Sequence, residues 1–357
     1  MRMMRRALRL AERGAGQVAP NPKVGAVVVH DGAVVGDGWH ARYGEAHAEV
    51  VALREAGERA RGATVYVTLE PCDHDGRTPP CTRALIDAGV ARVVYAVSDP
   101  NPLAAGGARR LDAAGIVTVG GVLREEAAES NALFLGALAH AERPFVTLKL
   151  ALSIDGALVD QTRARREITG SASRRAVHAL RAEHDAVAVG IETAIADDPA
   201  LTVRDARAPR IAPARVVFDR TARLPLDGAL VRSAAVTPVI VLTDGSAPAA
   251  EEGLRTRGVT VVAADTAAAA LGALRHAGVR TLFVEGGAGI ASALMGARLV
   301  DRLITFQSPV VLGAGALPAF SALPPDAARD VLLALRRRRR VGRDLMTAYS
   351  VGFVARD

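Results

Sequence analysis

Cysteine is nearly absent from this sequence, since its 357 residues include only two. Both belong to one short segment, as Cys72 and Cys81, and the first residues form no signal-peptide core. In a reducing compartment, neighbouring Cys and His side chains more often bind a metal than form disulfides. We therefore expect a cytoplasmic protein that uses its two thiols as metal ligands.

Aromatic residues are also scarce, at 3% of the chain, and no apolar run approaches the length of a membrane span. The net charge is +7, with basic residues spread along the sequence. Proteins that bind single-stranded nucleic acid stack bases on aromatic rings, which this chain hardly supplies. Small anions such as phosphate esters account for the positive charge equally well. The composition favours a phosphorylated small-molecule substrate, with no nucleic acid and no membrane as partner.

Lysine is the third scarce residue, because Lys23 and Lys149 are the only lysines among 45 basic residues. Its compact ammonium group is not replaced by the planar guanidinium of arginine. Both lysines fall inside motif-like segments. Each therefore indicates a position where an ammonium group is needed.

The chain is long enough for two domains, because a single hydrophobic core of this size is unusual. Strand and helix patterns alternate through both halves, which predicts two α/β domains. An alanine-rich segment, 124–141, is predicted to form one helix, and it ends near Arg143-Pro144. We place the domain boundary there, with domains at residues 1–143 and 144–357.

The last part of the chain, 331–354, is predicted to form an antiparallel hairpin. Its first arm contains five consecutive arginines, at 336–340. A patch for phosphate or nucleic acid is one interpretation of this run. A solvated strand edge is the simpler one, and we expect it here.

A water-activating zinc site is the simplest interpretation of the cysteine segment, which reads PCDHDGRTPPC over residues 71–81. With His47 upstream, Cys72 and Cys81 make three ligands and leave one coordination position for water. Glu49 follows His47 by two residues and can move protons, as in zinc deaminases of nucleobases. The ligands cluster at the carboxyl end of the predicted strand 64–69, where open α/β sheets bind ligands.

The alternative is a closed structural zinc with His74 as its fourth ligand. A structural site has no need of a carboxylate two residues from a ligand, whereas a hydrolytic site does. Glu49 therefore favours the catalytic interpretation. Asn21 can lie over a ring, and His40 precedes His47 by seven residues, so both are further candidates for the same site.

Together these motifs resemble the bifunctional deaminase-reductase family of riboflavin biosynthesis. In the first half the resemblance rests on PNPKVG at 20–25, GEAHAE at 44–49, the segment 71–81 and DPNP at 99–102. Eight residues separate the two cysteines, whereas cytidine and tRNA-adenosine deaminases usually have two between theirs. This spacing makes the resemblance specific.

The second half resembles the reductase of the same family, through KLALSIDG at 149–156, the segment 190–204 and EGGAG at 285–289. The last motif is predicted to join a strand to a helix, where backbone N–H groups cradle a cofactor phosphate. It is not the G-x-G-x-x-G fingerprint of a Rossmann fold. The resemblance implies an N-terminal cytidine-deaminase-like three-layer domain and a C-terminal dihydrofolate-reductase-like α/β domain.

The family implies two consecutive reactions on one pyrimidine ribosyl phosphate, with Zn²⁺ and NADPH as cofactors. The first is hydrolytic deamination of 2,5-diamino-6-ribosylamino-4(3H)-pyrimidinone 5′-phosphate, with Glu49 as the proton shuttle. The second is reduction of the ribosyl side chain by NADPH, which gives 5-amino-6-ribitylaminouracil 5′-phosphate. The family also leads us to expect a homo-oligomer, a dimer or a tetramer.

The resemblance assigns a role to each residue that matches a family motif. The metal ligands are His47, Cys72 and Cys81. The deaminase substrate is bound by Asn21, His40, His74 and Arg77. The reductase substrate is bound by Lys149, Arg165, Arg181, Leu201, Arg204 and Glu285. NADPH is bound by Ala151, Glu167, Thr193, Asp197, Gly286, Gly287 and Gly289.

Two departures from the family pattern concern the reductase half. Glu167 stands where the family commonly has a tryptophan, and Arg220 stands where a small polar residue is usual. They leave open a second interpretation, a deaminase with an impaired reductase domain. A third, a nucleic-acid deaminase, follows from the basic charge, but the spacing of the cysteines argues against it.

Overall fold

The structure is a computed structural model that describes residues 1–163 and 167–354. The chain divides into two compact units, Met1–Leu138 and Ala139–Asp357. Each unit has its own sheet and its own hydrophobic core. Within the described ranges, no helix is both long and apolar enough to cross a bilayer.

The first unit is built around one five-stranded sheet. Its strands are Gly25–His30 (β1), Ala33–Trp39 (β2), Thr64–Leu69 (β3), Arg92–Val97 (β4) and Val117–Val119 (β5). Their order is β2-β1-β3-β4-β5, with β1 antiparallel to both neighbours and the other pairs parallel. Its helices are Arg2–Ala11 (α1), Ala48–Ala56 (α2), Cys81–Asp87 (α3), Gly107–Ala113 (α4), Arg124–Ser130 (α5) and Ala132–Ala139 (α6).

Helices α1 and α2 cover opposite faces of this sheet. A Cβ on Gly25 in β1 would lie 2.1 Å from the carbonyl oxygen of Ala7 in α1, so only glycine permits this approach. A Cβ on Gly38 in β2 would lie 2.8 Å from the carbonyl oxygen of Ala48 in α2. Ala26 pairs with Gly38 and shares its face, whereas Gly25 next to it points to the other. The predicted three-layer arrangement is thus confirmed.

The predicted single helix at 124–141 is wrong, because the structure has two helices there, α5 and α6. Asn131 separates them with φ −104° and ψ 22°, outside the helical region. Its buried side chain hydrogen-bonds to the backbone of Lys23, 108 residues away in sequence. Asn side chains compete with helical hydrogen bonding in this way. A tertiary contact, which the alanine pattern does not reveal, therefore accompanies the break.

The second unit contains eleven strands and seven helices within the described ranges. The strands are Phe145–Leu152 (β6), Ala157–Val159 (β7), Ala186–Gly190 (β8), Ala214–Phe218 (β9), Val239–Thr243 (β10), Thr260–Ala263 (β11), Thr281–Glu285 (β12), Arg302–Gln307 (β13), Leu317–Pro318 (β14), Val331–Val341 (β15) and Asp344–Phe353 (β16). The helices are Ser171–Glu183 (α7), Ile191–Asp197 (α8), Ala229–Arg232 (α9), Pro248–Arg255 (α10), Ala267–His276 (α11), Ala288–Gly296 (α12) and Pro325–Arg329 (α13).

Nine of these strands form one sheet, in the order β11-β10-β9-β8-β12-β6-β13-β16-β15. The strands from β11 to β13 are parallel, and β16 and β15 add an antiparallel hairpin at one edge. The predicted α/β class and the predicted terminal hairpin are both confirmed. The arginines at 336–340 are all exposed on β15, which is an edge strand, as the solvated-edge interpretation requires. Their positive charge opposes pairing of this edge strand with the edge strand of another sheet.

A buried histidine joins helix α7 to the central strand β6. Nδ1 of His184 donates to the carbonyl oxygen of Leu180 at 2.7 Å, and Nε2 accepts from Oγ1 of Thr147 at 3.1 Å. These two hydrogen bonds satisfy both ring nitrogens of a neutral imidazole. Burial lowers the pKa of His184 to about 4. The fold of this region therefore favours the neutral ring.

We predict that the second unit loses stability as the pH falls from about 6.5 towards 4. In this window the unfolded chain binds a proton at His184 and the folded chain does not, so acid favours unfolding. The full effect is roughly 3 kcal/mol. Hydrogen exchange of β6 and α7 at pH 7 and pH 5, corrected for intrinsic exchange, measures it. His184→Gln should flatten this pH dependence, and an unchanged slope would contradict the assignment.

Candidate active sites

Three metal-ligating side chains converge in the first unit. His47 immediately precedes α2, Cys72 follows β3 by three residues, and Cys81 opens α3. Nδ1 of His47 lies 3.2 Å from Sγ of Cys81 and 3.5 Å from Sγ of Cys72. All three ligand atoms lie within 4.8 Å of one another. The structure thus brings the three predicted ligands to one point.

This donor set fits Zn²⁺. A tetrahedral zinc with ligands at about 2.0–2.3 Å places its donor atoms about 3.5–3.8 Å apart, close to the distances between His47 and the two thiols. Two buried thiols and one imidazole are also the soft donors that zinc prefers. Among the described residues the cluster comprises His47, Cys72 and Cys81, and His74 does not join it. Three protein ligands leave the position for water that distinguishes a catalytic site from a structural one.

Glu49 lies in the first turn of α2, two residues from the ligand His47, and is 3% exposed. Burial raises the pKa of the Glu49 carboxyl to about 7, although the neighbouring His47 opposes the shift. A carboxyl group with a pKa near neutrality both accepts and releases protons at physiological pH. The metal cluster therefore has a proton carrier beside it.

A cavity of about 210 Å³ adjoins the metal cluster and is lined by the four residues predicted to bind the deaminase substrate, Asn21, His40, His74 and Arg77. Nδ1 of the buried His40 donates to the carbonyl oxygen of Ala46 at 3.1 Å, which leaves Nε2 to accept from Nδ2 of Asn21 at 3.2 Å. This contact orients the Asn21 amide. Nδ1 of His74 is buried and has no hydrogen-bond partner in the described part of the chain. This nitrogen is thus a polar atom of the site that the described protein groups do not satisfy.

Several further residues of this site were not predicted from the sequence. The guanidinium carbon of Arg77 lies 4.9 Å from the ring centre of Tyr43, which also lines the cavity. The buried Glu70 accepts hydrogen bonds from the backbone N–H groups of Asp99 at 3.2 Å and Ala108 at 3.0 Å, and so ties the DPNP loop to the end of β3. Phe134 of α6 forms part of the wall. Of these residues, only Glu70 could have been found from the sequence, because it directly precedes the Pro-Cys motif.

In the second unit, Lys149, Arg181 and Glu285 form a partly buried ionic cluster, with side chains 11–15% exposed. Lys149 and Glu285 are register partners on the parallel strands β6 and β12, with 3.9 Å between the ammonium and carboxylate groups. Nε of Arg181, from α7, donates to the same carboxylate. Burial raises the pKa of Glu285, but Lys149 and Arg181 outweigh it, so the net shift is downward. Burial lowers the pKa of Lys149.

The segment after α8 is attached to this cluster through its backbone. Arg181 donates to the carbonyl oxygen of Thr202 at 2.8 Å, and the backbone N–H of Arg204 donates to Nδ1 of His178 at 3.1 Å. The side chain of Leu201 packs in the hydrophobic core. Leu201, which is 3% exposed, therefore offers no side chain to a ligand.

The predicted glycine turn joins β12 to α12. A Cβ on Gly286 would lie 3.1 Å from Cδ1 of Leu148, and a Cβ on Gly287 would lie 3.3 Å from Oγ1 of Thr193. A side chain at either position would crowd the turn. The N-terminus of α12 presents N–H groups that suit an anion. The turn thus fits a phosphate group of NADPH.

The remaining residues assigned to the reductase are more dispersed. Ala151 lies on β6, two residues after Lys149, and Asp197 ends α8. Glu167 forms an ion pair with Arg174 at 2.7 Å, and its side chain is 60% exposed. Gly289 lies in the first turn of α12. Arg165 lies outside the described residues.

Comparison with known proteins identifies the family. The family model described as "Cytidine and deoxycytidylate deaminase zinc-binding region" matches residues 1–97. The model described as "RibD C-terminal domain" matches residues 144–347, which is more than half of the chain. The chain belongs to the RibD family. The family expected from the sequence motifs is thereby confirmed.

Relatives align with this RibD chain over most of its length. The riboflavin biosynthesis protein RibD of Aquifex aeolicus is 44% identical over 315 residues, 87% of each chain. The RibD of Escherichia coli is 42% identical over 326 residues, 88% of each chain. Both relatives are matched across the two units.

Solved structures show the same architecture. Acinetobacter baumannii RibD has a TM-score of 0.81 and 38% identity, with 98% of each chain covered. A Thermotoga maritima protein, described as a diaminohydroxyphosphoribosylaminopyrimidine deaminase/5-amino-6-(5-phosphoribosylamino)uracil reductase, has a TM-score of 0.81 and 33% identity. Its match covers 98% of this chain and 97% of its own. The expected combination of a deaminase-like and a reductase domain is confirmed.

We predict that the protein binds one zinc ion per chain through three side chains. Cys81→Ser should lose the metal, because it removes a thiolate ligand, whereas His74→Asn should retain it, because His74 lies outside the ligand cluster. Mass spectrometric metal analysis after dialysis measures the stoichiometry. Equal loss of zinc from both variants would instead support a closed four-ligand site.

Proposed function

We propose that this RibD chain catalyses two consecutive steps of riboflavin biosynthesis on one phosphorylated pyrimidine. It first hydrolyses the 2-amino group of the diaminopyrimidinone ribosyl phosphate, and then reduces the ribosyl chain with NADPH to give the ribitylaminouracil phosphate. The observation that carries the proposal is a three-ligand metal cluster beside the buried Glu49, in a chain whose other unit holds the Lys149–Arg181–Glu285 cluster.

In the deamination, His47, Cys72 and Cys81 would hold Zn²⁺, which supplies a Lewis acid that lowers the pKa of water at the open position. Glu49 would accept a proton from a water molecule as the water oxygen bonds to the ring carbon that carries the amino group, and would pass that proton to the adjacent ring nitrogen. Glu49 would then carry the proton of the new hydroxyl group to the departing amino nitrogen, so that ammonia leaves and the ring keeps a carbonyl and an N–H group. Burial of Glu49 excludes bulk water from this transfer.

The substrate is held by the side chains that line the cavity. The Asn21 amide, oriented by His40, would hydrogen-bond to the pyrimidine edge, and the His74 ring, which lines the same cavity, would contact the substrate beside it. Arg77, stacked on Tyr43, would bind the 5′-phosphate, since guanidinium groups pair well with phosphate oxygens.

In the reduction, NADPH supplies the hydride that converts the ribosyl group to a ribityl group. The turn containing Gly286, Gly287 and Gly289 would hold a cofactor phosphate, with Thr193 beside it. Lys149 and Arg181 would hydrogen-bond to the oxygens of the ribosyl phosphate, and Glu285 fixes both cations in place. The other assigned residues, Ala151, Arg165, Glu167, Asp197, Leu201 and Arg204, stay predictions.

The assignment of activities to parts of the chain belongs to the same proposal. We place the deaminase in residues 1–143 and the reductase in residues 144–357, which the two compact units support. A homo-oligomer, either dimer or tetramer, and a cytoplasmic location stay predictions.

A deaminase with an impaired reductase is less well supported. Its motivation was Glu167 and Arg220, but both side chains are mostly exposed and paired, Glu167 with Arg174 and Arg220 with Asp244. The ionic cluster of Lys149 and its partners is complete. We therefore favour two working activities.

We predict that Glu49→Gln retains zinc but loses deamination by about 10³-fold, because the amide cannot carry the proton. Ammonia release from the diaminopyrimidinone ribosyl phosphate measures the loss. Glu55→Gln is the matched control on the same helix, since its exposed carboxylate accepts only a hydrogen bond from the Asp37 backbone. Turnover by Glu49→Gln at the wild-type rate would refute the role of Glu49.

We predict that Lys149→Met lowers kcat/KM for NADPH oxidation by about 100-fold, because it removes one cation and leaves Glu285 with Arg181 alone. Ammonia release should not change, since Lys149 belongs to the other unit. Arg220→Ser, at a side chain 86% exposed, should have little effect on either reaction. Normal NADPH oxidation by Lys149→Met would contradict the assignment.

A further inference from the structure

The backbone of the loop that carries Asn21 is held by one distant side chain. Oδ1 of Asn131 accepts from the backbone N–H of Lys23 at 2.8 Å, and Nδ2 of Asn131 donates to the carbonyl oxygen of Lys23 at 2.9 Å. Asn131 is 4% exposed. One amide thus satisfies both backbone groups of a single residue, as a neighbouring β-strand would, and fixes the position of that residue in a dry environment.

A second contact joins the same two segments. The carboxylate of Glu12 accepts from Nζ of Lys23 at 3.2 Å and from Oγ of Ser130 at 2.6 Å. Glu12 therefore links Ser130 to the side chain of Lys23, while Asn131 binds the backbone of Lys23 directly. Two independent contacts at one residue restrict both the place and the direction of the chain there.

The restrained residue lies two positions after Asn21. The intervening Pro22 has a fixed φ, so the position of Lys23 is transmitted to Asn21 with little freedom. The Asn21 amide in turn contacts Nε2 of His40 and lines the cavity beside the metal cluster. The Asn131 side chain thus influences the cavity indirectly, through the backbone of Lys23 and Pro22.

Asn131 also directly precedes helix α6, which begins at the next residue. Three residues further along that helix, Phe134 lines the same cavity as Asn21 and Pro22. Positions three apart share one side of a helix. Asn131 and Phe134 lie beyond residues 1–97, the region that the zinc-binding family model matches. They are therefore parts of this site that lie outside the matched region.

We propose that Asn131 is a positioning residue for the deamination: it acts through the Lys23 backbone to hold Asn21 against the pyrimidine ring. The inference rests on the proposed role of Asn21 in substrate binding. Among the described residues, Asn131 belongs neither to the metal cluster nor to the lining of the cavity. Its loss should therefore weaken substrate binding and leave the chemical step intact.

The test measures ammonia release from the diaminopyrimidinone ribosyl phosphate by Asn131→Ala, Asn21→Ala and the double variant. We expect KM to rise about tenfold in each single variant, with kcat within about twofold of the wild type, because ground-state hydrogen bonds are lost. In the double variant KM should rise no further, because both substitutions remove the same interaction. Zinc content and NADPH oxidation with the deaminated pyrimidine should equal those of the wild type.

Two further variants control for general damage. Asn131→Asp has the same size and keeps the acceptor for the Lys23 N–H, but it lacks the donor to the Lys23 carbonyl oxygen, so KM should rise in this variant too. It therefore tests the inference even if Asn131→Ala does not fold. Asp112→Ala also removes two hydrogen bonds to one residue, Thr118, away from the cavity, and KM should stay at the wild-type value.

Three results would overturn the inference. Increases in KM that multiply to about 100-fold in the double variant would show that Asn131 acts independently of Asn21. A normal KM in both Asn131 variants, with a raised KM in Asn21→Ala, would refute the positioning role and leave the proposed function standing. A normal KM in Asn21→Ala would refute the binding role of Asn21, and the inference would fail with it.

Discussion

Burial of Glu49 beside two buried thiols is the constraint on which the first unit depends. Each of these groups can carry negative charge, and unpaired negative charge in a dry interior costs several kcal/mol. A divalent cation on Cys72, Cys81 and His47 offsets that cost, and the burial that creates the problem also keeps bulk water away from the proton transfer. The same geometry therefore serves both stability and catalysis.

Both units place their chemistry where a buried strand ends. In the first, Cys72 lies just beyond β3 and Cys81 begins the next helix, so the thiols meet at one edge of the sheet. In the second, Glu285 is the last residue of β12 and faces Lys149 in the register of β6. Parallel strands bring their carboxyl ends to a common edge, and the loops there are free to supply side chains without disturbing the core.

How much of this could be predicted from sequence depends on the distance between contacting residues. The ligands His47, Cys72 and Cys81 and the carboxylate of Glu49 fall within 35 residues, and their types and spacing already indicated a zinc deaminase. The alternation of strands and helices likewise predicted both α/β units. The break at Asn131 could not be predicted, because its partner Lys23 is 108 residues away and the local alanine pattern favours a continuous helix. Phe134 likewise belongs to no sequence motif, and only the fold brings it to the cavity beside Asn21.

The two lysines are the clearest case of a sequence anomaly explained by the structure. In a chain that otherwise uses arginine, Lys23 has a side chain 12% exposed against Glu12, and Lys149 has one 15% exposed against Glu285. Both ammonium groups lie in spaces with little access to water. Each ammonium group contacts a carboxylate, Glu12 or Glu285, which suits a compact point charge. Burial alone does not select lysine, because the more deeply buried Arg215, 1% exposed, directs its planar guanidinium to Ser233 and Thr237.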